Sequence, residues 1–204
     1  RDGFSHHDAH FCAAKVFAGN FADDYHCIVA DGFGTAGECI SVYHHKDNES
    51  KLIDRVYGFN YSLGMFYQYA TAVCGMKMHN HEYKMLAYET RILNIPDIDI
   101  DAVITYISDF SITQYNNMIS GNITKMDPIV NLDALPLTYV WVEKVLHDYL
   151  DHFNIDRDNT LYTRIMVSFF AQRYVENMMY MIHNKYGIKN LLLSGGVFYN
   201  VKLN

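Results

Sequence analysis

The spacing of apolar residues near the start of the chain is typical of a helix. In residues 5–18, Phe11, Ala13, Ala14 and Phe17 stand at intervals that bring apolar side chains to one side of a helix. A Gly-Asn pair follows, as is common at helix C-termini. The pattern therefore predicts a helix whose apolar side is buried.

A strand-like alternation replaces this spacing in the next forty residues. The runs 25–30 and 38–44 are rich in β-formers, and a glycine-rich turn at 31–35 joins them. After a polar stretch, the run 51–57 continues the alternation. An antiparallel three-stranded meander is the simplest structure for this pattern.

Helical spacing returns after the meander. A helix opens at Ser62 and ends at Gly75, and a short helix covers 82–88. The runs 137–153 and 160–186 are also helical, and the second is rich in Met and aromatic residues three or four positions apart. Such a stripe is typical of a core.

Two other stretches complete the pattern. Residues 94–135 contain Pro96, alternating Ile and Asp and a long polar part, which favour an irregular, partly helical insertion to which we assign no function. The Leu-Leu-Leu run at 191–193 predicts a buried strand that turns at 194–196 into a helix. The order of elements predicts the α/β class, with a mixed sheet covered by long helices.

The composition favours a folded domain without anionic macromolecular partners. The chain has 204 residues, half of them hydrophobic, so it can bury a core. Its net charge is -7 and its Lys and Arg residues are scattered, which disfavours nucleic acid as a partner. Apolar runs fall short of the roughly 18 residues of a membrane helix, and no charged-then-apolar leader opens the chain. We expect no membrane partner.

The cysteines and the chain ends add two expectations. Cys12, Cys27, Cys39 and Cys74 form no Cys-x-x-Cys pair and have apolar neighbours, which favours buried free thiols and a cytoplasmic protein. The chain starts at Arg1 and stops soon after the Gly-Gly turn, so we expect a portion of a longer protein.

The opening Ser-His-His-Asp-Ala-His stretch is the first candidate for chemistry. In a helix, His6 and His10 lie one turn apart on the same face, where both imidazoles can reach one divalent ion. Asp31, at the end of a predicted strand, would complete part of the coordination sphere. Two solvated histidines at a helix start would have the same spacing, so this pattern leaves both interpretations open.

Two glycine-rich turns at strand ends are the second candidate. Asp31-Gly32-Phe33-Gly34-Thr35 and the 194–196 turn let backbone N–H groups approach a phosphate or nucleotide closely. Neither turn is a Walker loop, because no Gly-Lys-Ser/Thr follows. Turns also use glycine for purely structural reasons, but two such turns in one chain favour a nucleotide site.

The order of these motifs resembles that of the carbamoyltransferases, which include the nodulation and antibiotic O-carbamoyltransferases and, more distantly, the hydrogenase-maturation and tRNA threonylcarbamoyl-transfer proteins. His6-His7-Asp8-Ala9-His10 is similar to their His-His-x-Ala-His signature, and residues 31–35 with Glu38 are similar to their Asp-Gly-x-Gly-Glu hairpin, with two or three extra residues. The later similarities are a Leu-Gly-Met-Phe-Tyr run at 63–67, a Glu-x-Lys-x-Met-Gly-Leu-Ala block with a shortened middle at 82–88, Gln172 to Glu176, and a Gly-Gly-Val-x-x-Asn turn ending at Asn200.

This resemblance implies an actin/Hsp70/sugar-kinase fold, in which a ligand lies between two ribonuclease-H-like lobes. It implies roles for three groups of residues: Gly32, Gly34 and Thr35 as a phosphate loop, Gly195, Gly196 and Asn200 against the adenosine of ATP, and His6, His10 and Asp31 as ligands of Fe(II) or a similar divalent ion. His7 would bind substrate or act as a base, and Lys84 would approach the phosphate or the carbamoyl group. A fourth ligand Asp, the first strands of the N-terminal lobe and the carbamoyl-adenylate-forming domain are expected outside this chain.

The activity implied is ATP-dependent O-carbamoylation. A carbamoyl group would pass from carbamoyl phosphate, through carbamoyl-adenylate, to a hydroxyl of a small-molecule acceptor. One alternative is a Kae1-type tRNA threonylcarbamoyl-transfer subunit, which we would expect to have a Ser-Gly-Gly-Asn-Thr-like hairpin and a more basic surface. A second is a catalytically incomplete nucleotide-binding module with a role in interaction.

Overall fold

A four-stranded mixed sheet is built from the predicted meander and one late strand. In the computed structural model, which describes residues 4–19, 21–120 and 134–203, with the backbone alone for 134–137, the strands are β1 (Asp24–Ala30), β2 (Glu38–Lys46), β3 (Glu49–Tyr57) and β4 (Leu191–Ser194). Their order is β3-β2-β1-β4, with β4 parallel to β1 and the other pairs antiparallel. The mixed α/β class is confirmed, and the sheet is consistent with the nucleotide-binding type of fold.

Six helices make up most of the rest of the described chain. They are α1 (His6–Ala18), α2 (Leu63–Val73), α3 (Glu82–Glu89), α4 (Ile100–Ile119), α5 (Ala134–His152) and α6 (Thr160–Tyr186). The helix expected after β4 is a single 3-10 turn, Gly196–Tyr199. None of the described helices is both long and apolar enough to cross a membrane.

The stretch 94–135, predicted to be an irregular, partly helical insertion, contains a longer and more regular helix than expected. Residues 100–119 form one regular 20-residue helix, α4. Asp99 caps it, since its Oδ1 accepts a hydrogen bond from the Ala102 N–H at 3.0 Å. Val103 and Ile107, four residues apart, are fully buried. The later residues 121–133 lie outside the described part of the chain.

Contacts divide the chain into two units. Unit 1 comprises the described residues of 1–65, 118–131 and 181–204 and contains the sheet and α1. Unit 2 comprises those of 66–117 and 132–180. In unit 2 the predicted stripe of α6 is core, because Met166, Phe170, Tyr174 and Met178, each four residues apart, are at most 1 % exposed.

Helix α1 packs on one face of the sheet through Phe11. Its ring stacks on Tyr43 with centroids 4.3 Å apart, in a cluster that includes Tyr25, Cys27 and Val29. The predicted burial holds for Phe11 and in part for Ala14, but Phe17 is 90 % exposed and Ala13 is exposed too. The apolar spacing was therefore a poor guide to which side of α1 is covered.

The other face of the sheet meets the end of α6. Asp54 of β3 accepts hydrogen bonds from Lys185, at 2.8 Å, and from Tyr186. A cavity of about 280 Å³ lies here, lined partly by Ile40 and Val42. Because side chains alternate along β2, these two lie on the face of the sheet opposite to that of Ser41, which faces α1.

Three of the four cysteines are buried, as expected. Cys27, Cys39 and Cys74 are at most 2 % exposed, and all four cysteines are free thiols. Cys12 is exposed on α1, so the expectation of burial is wrong for this residue.

Candidate metal centre

Helix α1 begins with a capping box that fixes where its histidines stand. The Ser5 hydroxyl accepts a hydrogen bond from the Asp8 N–H at 3.1 Å, and Asp8 Oδ2 accepts one from the Ser5 N–H at 3.0 Å. The helix therefore starts at His6, and His6 and His10 lie one turn apart near its N-terminus.

The three predicted metal ligands converge on one point. His6 Nε2 and His10 Nε2 each lie 3.1 Å from Asp31 Oδ2, and the two nitrogens are 3.1 Å from each other. Within the described residues, this is the group of His, Cys, Asp or Glu side chains found close enough to hold an ion. The structure thus joins the histidine stretch to the end of β1.

The chemistry and spacing of this triangle fit a divalent transition metal. Metal–ligand bonds of about 2.1 Å at right angles place neighbouring ligand atoms about 3 Å apart, which matches all three edges. Two imidazoles and one carboxylate suit Fe(II) and similar ions. The side chains are 47 %, 31 % and 24 % exposed for His6, His10 and Asp31, so an ion can enter from solvent.

Asp31 is held in its charged form. Burial alone would raise the pKa of its carboxyl group, but hydrogen bonds from His6 and from the Gly32 N–H outweigh this effect and lower the pKa. A metal ligand of this type must be deprotonated, so Asp31 is ready to bind a cation at neutral pH.

The first turn of α1 is tied to the loop that carries Asp31. The His6 N–H donates to Thr35 Oγ1 at 3.0 Å, and the His7 N–H donates to Glu38 Oε1 at 2.8 Å. Glu38 Oε1 also accepts from the Thr35 N–H at 3.2 Å. Helix N-terminal N–H groups lack partners inside the helix, so these bonds satisfy them and fix the helix against the loop.

Further contacts hold the loop from the other sides. The Ser62 hydroxyl, just before α2, lies 3.2 Å from Asp31 O and also contacts Gly32 O. A Cβ on Gly64 would lie 2.8 Å from Gly32 N, so only glycine fits there without a shift. The Ser194 hydroxyl of β4 donates to His10 O at 3.1 Å. Several elements of unit 1 thus position the three ligands.

Comparison with family models decides the family. The model for the carbamoyltransferase N-terminus matches residues 3–204, nearly the whole chain. The chain belongs to the carbamoyltransferase family. A comparison with curated proteins finds no match.

The two glycine-rich turns of this carbamoyltransferase meet at one end of the sheet. Strands β1 and β4 are parallel neighbours, with Val29 opposite Ser194, so the turns that follow them are adjacent. A Cβ on Gly196 would lie 2.9 Å from Asp31 Oδ1, and one on Gly195 would lie 2.2 Å from Ala30 O. Close packing inside the protein therefore favours glycine at both positions, and their role against the adenosine of a nucleotide stays a prediction.

The predicted phosphate loop uses several of its N–H groups internally. The Gly32 N–H donates to Asp31 Oδ1 at 2.8 Å, the Gly34 N–H to Glu38 O at 2.7 Å, and the Thr35 N–H to the Glu38 side chain. A bound phosphate would have to replace these acceptors. The role of Gly32, Gly34 and Thr35 in binding a nucleotide stays a prediction, as does that of Asn200, which follows the 3-10 turn.

A polar network that sequence reasoning missed lies beneath the triangle. Arg55 of β3 is only 13 % exposed and donates to Asp8 Oδ1 at 2.7 Å. Its Nη1 lies 3.1 Å from Glu38 Oε2, in an ion pair that lacks the alignment of a hydrogen bond. Tyr43 OH also donates to Asp8, at 2.6 Å. Glu38 is 1 % exposed, so this pairing supplies the opposite charge that a buried carboxylate needs.

His7, which follows His6 in the first turn of α1, is fully buried. Its Nδ1 lies 2.8 Å from Ser41 Oγ. Burial and, second, the charge of Arg55 lower the pKa of His7 to about 4. Both predicted roles of His7, substrate binding and action as a base, stay predictions.

Lys84 and the Gln172/Glu176 pair belong to unit 2. The Lys84 Nζ on α3 lies 5.8 Å from the ring centroid of Tyr83, and its role in chemistry stays a prediction. Gln172 donates to Glu176 at 2.8 Å and lies 3.5 Å from Tyr67 OH. Through Gln172 this pair links α6 to α2.

Proposed function

We propose that this carbamoyltransferase domain serves ATP-dependent O-carbamoylation of a small hydroxyl-bearing acceptor, in the cytoplasm, with carbamoyl phosphate as the donor. Carbamoyl transfer in general follows from the family. The use of ATP, the carbamoyl-adenylate intermediate and the class of acceptor are supported by the motif resemblance described above. The observation that carries the proposal is the triangle of His6, His10 and Asp31 beside the Gly195-Gly196 turn.

The proposed reaction is an acyl transfer in which AMP leaves. Such a step needs charge stabilisation on the leaving phosphate and a positioned acceptor. A divalent ion such as Fe(II), when bound, would act as a Lewis acid toward phosphate-side oxygens.

The protein's own residues provide the setting for this chemistry. Asp31 stays ionised, and the Nε2 atoms of His6 and His10 both lie at its Oδ2. Gly196 leaves room next to Asp31, where a side chain would collide with the carboxylate. The ties from Thr35 and Glu38 to α1 fix these groups before a ligand arrives, which lowers the cost of ordering them during reaction.

Metal analysis combined with an activity assay tests this proposal. Full-length protein, stripped with a chelator and reloaded with Fe(II), should bind one ion, and the His6→Ala/His10→Ala variant should bind none. The loaded protein, given ATP, carbamoyl phosphate and a panel of hydroxyl compounds, should produce carbamoylated acceptor, followed by mass spectrometry.

A second histidine pair provides the matched control. His26 and His44 stack with ring centroids 4.4 Å apart on neighbouring strands, outside the triangle. The His26→Ala/His44→Ala variant should keep both metal and activity. Equal metal content in all three proteins would rule out the triangle as the metal site.

A further inference from the structure

The Ser41 hydroxyl stands between Arg55 and His7 under the candidate metal centre. Arg55 Nε donates to Ser41 Oγ at 3.0 Å, and His7 Nδ1 lies 2.8 Å from the same oxygen. Ser41 and His7 are both fully buried. The strand register pairs Ser41 with Arg55 across β2 and β3, so the sheet itself sets this contact.

The direction of these hydrogen bonds follows from the donors present. A guanidinium N–H can only donate, so Ser41 Oγ accepts from Arg55. The hydroxyl proton of Ser41 then needs an acceptor. Among the described residues, His7 Nδ1 is the acceptor atom found within hydrogen-bond distance of Ser41 Oγ. In a neutral imidazole whose Nδ1 accepts, the proton is on Nε2. The opposite tautomer would leave a buried hydroxyl proton without an acceptor, which costs free energy.

The Nε2 atom of His7 is the open end of this chain of hydrogen bonds. It is buried and has no hydrogen-bond partner in the part of the chain that the structure describes. The rings of His7 and the candidate ligand His6 have centroids 6.1 Å apart. A buried N–H donor is normally satisfied, and here an oxygen of a ligand at the metal centre is the kind of acceptor that would satisfy it.

We propose that Arg55, acting through Ser41, is a positioning residue that keeps the proton of His7 on Nε2, so that His7 serves the site as a hydrogen-bond donor to a ligand oxyanion and not as a proton acceptor. The tautomer follows from contacts within the protein alone. The identity of the acceptor as a ligand oxygen rests on the proposed function.

The tautomer can be measured without metal or activity. In metal-free, ¹⁵N-His-labelled full-length protein, long-range ¹H–¹⁵N correlation spectra should show a protonated Nε2 and an unprotonated Nδ1 for His7, assigned by the signals missing from His7→Asn. Ser41→Ala should lower the ratio of the Nε2–H to the Nδ1–H form by about five-fold, the worth of one hydrogen bond. Ser41→Thr, which keeps the hydroxyl, should retain the wild-type pattern.

Arg55 has a control residue next to it in the chain. Arg55→Lys keeps the positive charge but loses the Nε donor, so the His7 ratio should fall, whereas Asp54→Asn, on the opposite face of β3, should leave it unchanged. A wild-type His7 protonated on Nδ1, or a ratio that Ser41→Ala does not alter, would overturn the positioning role. Ser41→Ala removes a single oxygen atom, so this test remains if Arg55→Lys fails to fold.

The donor role has its own readout. In protein loaded with the diamagnetic ion Zn(II), addition of inorganic phosphate or carbamoyl phosphate should shift the NMR signal of His7 Nε2. A shift with both compounds identifies a phosphate oxygen as the acceptor. A shift with carbamoyl phosphate alone identifies the carbamoyl oxygen. Phosphate binding without any shift would refute the donor role. Failure to bind Zn(II) and phosphate would instead refute the proposed function, together with a ligand as acceptor, and would leave the tautomer result standing.

Discussion

A methyl group on Gly196 would lie 2.9 Å from Asp31 Oδ1, closer than a carbon atom and a carboxylate oxygen approach without displacement. The Gly196→Ala variant should therefore move Asp31 away from the two histidines. Loss of ligand orientation typically lowers metal affinity 10–100-fold, and we expect a decrease of roughly this size. Competition with a chromophoric chelator measures it.

Gly187→Ala separates this effect from a general loss of stability. Gly187 has φ of +57°, but a Cβ there would have open space around it. This variant should lose about 1 kcal/mol of stability from backbone strain and keep its metal affinity. If Gly196→Ala bound metal as tightly as the wild type, close packing against Asp31 would not be what requires glycine.

His7 should make the stability of the metal-free protein depend on pH. Its pKa falls from 6.5 in the unfolded chain to about 4 in the folded one, because burial disfavours the charged form. Below pH 6.5 the unfolded state therefore binds more protons, so stability falls as the pH decreases toward 4. The difference of about 2.5 units between the two pKa values corresponds to roughly 3 kcal/mol in the free energy of unfolding.

Urea unfolding of wild type and His7→Asn between pH 7 and 4 isolates this contribution. Over this range, the free energy of unfolding of the wild type should fall by up to roughly 3 kcal/mol more than that of the variant. Above pH 6.5 the difference between the two proteins should be constant. Parallel curves down to pH 4 would mean that His7 titrates normally in the folded state.

The attachment of α1 to the sheet depends on one aromatic side chain. Phe11 is 6 % exposed and stacks on Tyr43, whereas Phe17, on the same helix, is 90 % exposed. Phe11→Ala should lower the free energy of unfolding by about 3–5 kcal/mol, and Phe17→Ala should change it by less than about 0.5 kcal/mol. Thermal or chemical denaturation gives both values, and similar losses in the two variants would contradict the packing described for α1.

Elements with a clear periodicity along the chain could be predicted from the sequence, and those without it could not. The strands and most helices follow from periodicity along the chain, and the His6/His10 pair follows from one helical turn. Helix α4 was predicted only as part of an irregular, partly helical insertion, because Pro96 and the alternating Ile and Asp at 98–101 obscure its start, although Asp99 is its cap. The predicted helix after β4 proved to be a single 3-10 turn.

Contacts across the sheet could not be predicted in this way. Arg55 reaches Ser41 because β2 and β3 pair in a particular register, and it reaches Asp8 because α1 packs on this face of the sheet; periodicity within a single segment shows neither. The Phe17 side chain shows the complementary limit, since periodicity identifies an apolar side of a helix but does not say what covers it.

All three candidate ligands belong to unit 1, which restricts where a bound ion should stabilise the molecule. A metal that binds only the folded state stabilises it by about 2.7 kcal/mol at a free concentration 100 times its Kd. An ion at the triangle would join α1 to the end of β1, so local opening of either element would have to break metal bonds. We expect hydrogen exchange to slow most in the amides of His10 and its neighbours in α1 and in the loop 31–38.

Unit 2 offers the internal comparison for this measurement. Helix α3 and residues 160–180 of α6 contribute no ligand to the triangle. Any protection of their amides from hydrogen exchange should therefore come only from slower global unfolding. Hydrogen exchange followed by mass spectrometry, with and without Fe(II) or Zn(II), should therefore show a large change in unit 1 peptides and a small one in unit 2. The His6→Ala/His10→Ala variant should show neither. Protection confined to unit 2, or unchanged by the double substitution, would place the ion elsewhere, because metal bonds at the triangle would protect α1 and the Asp31 loop first.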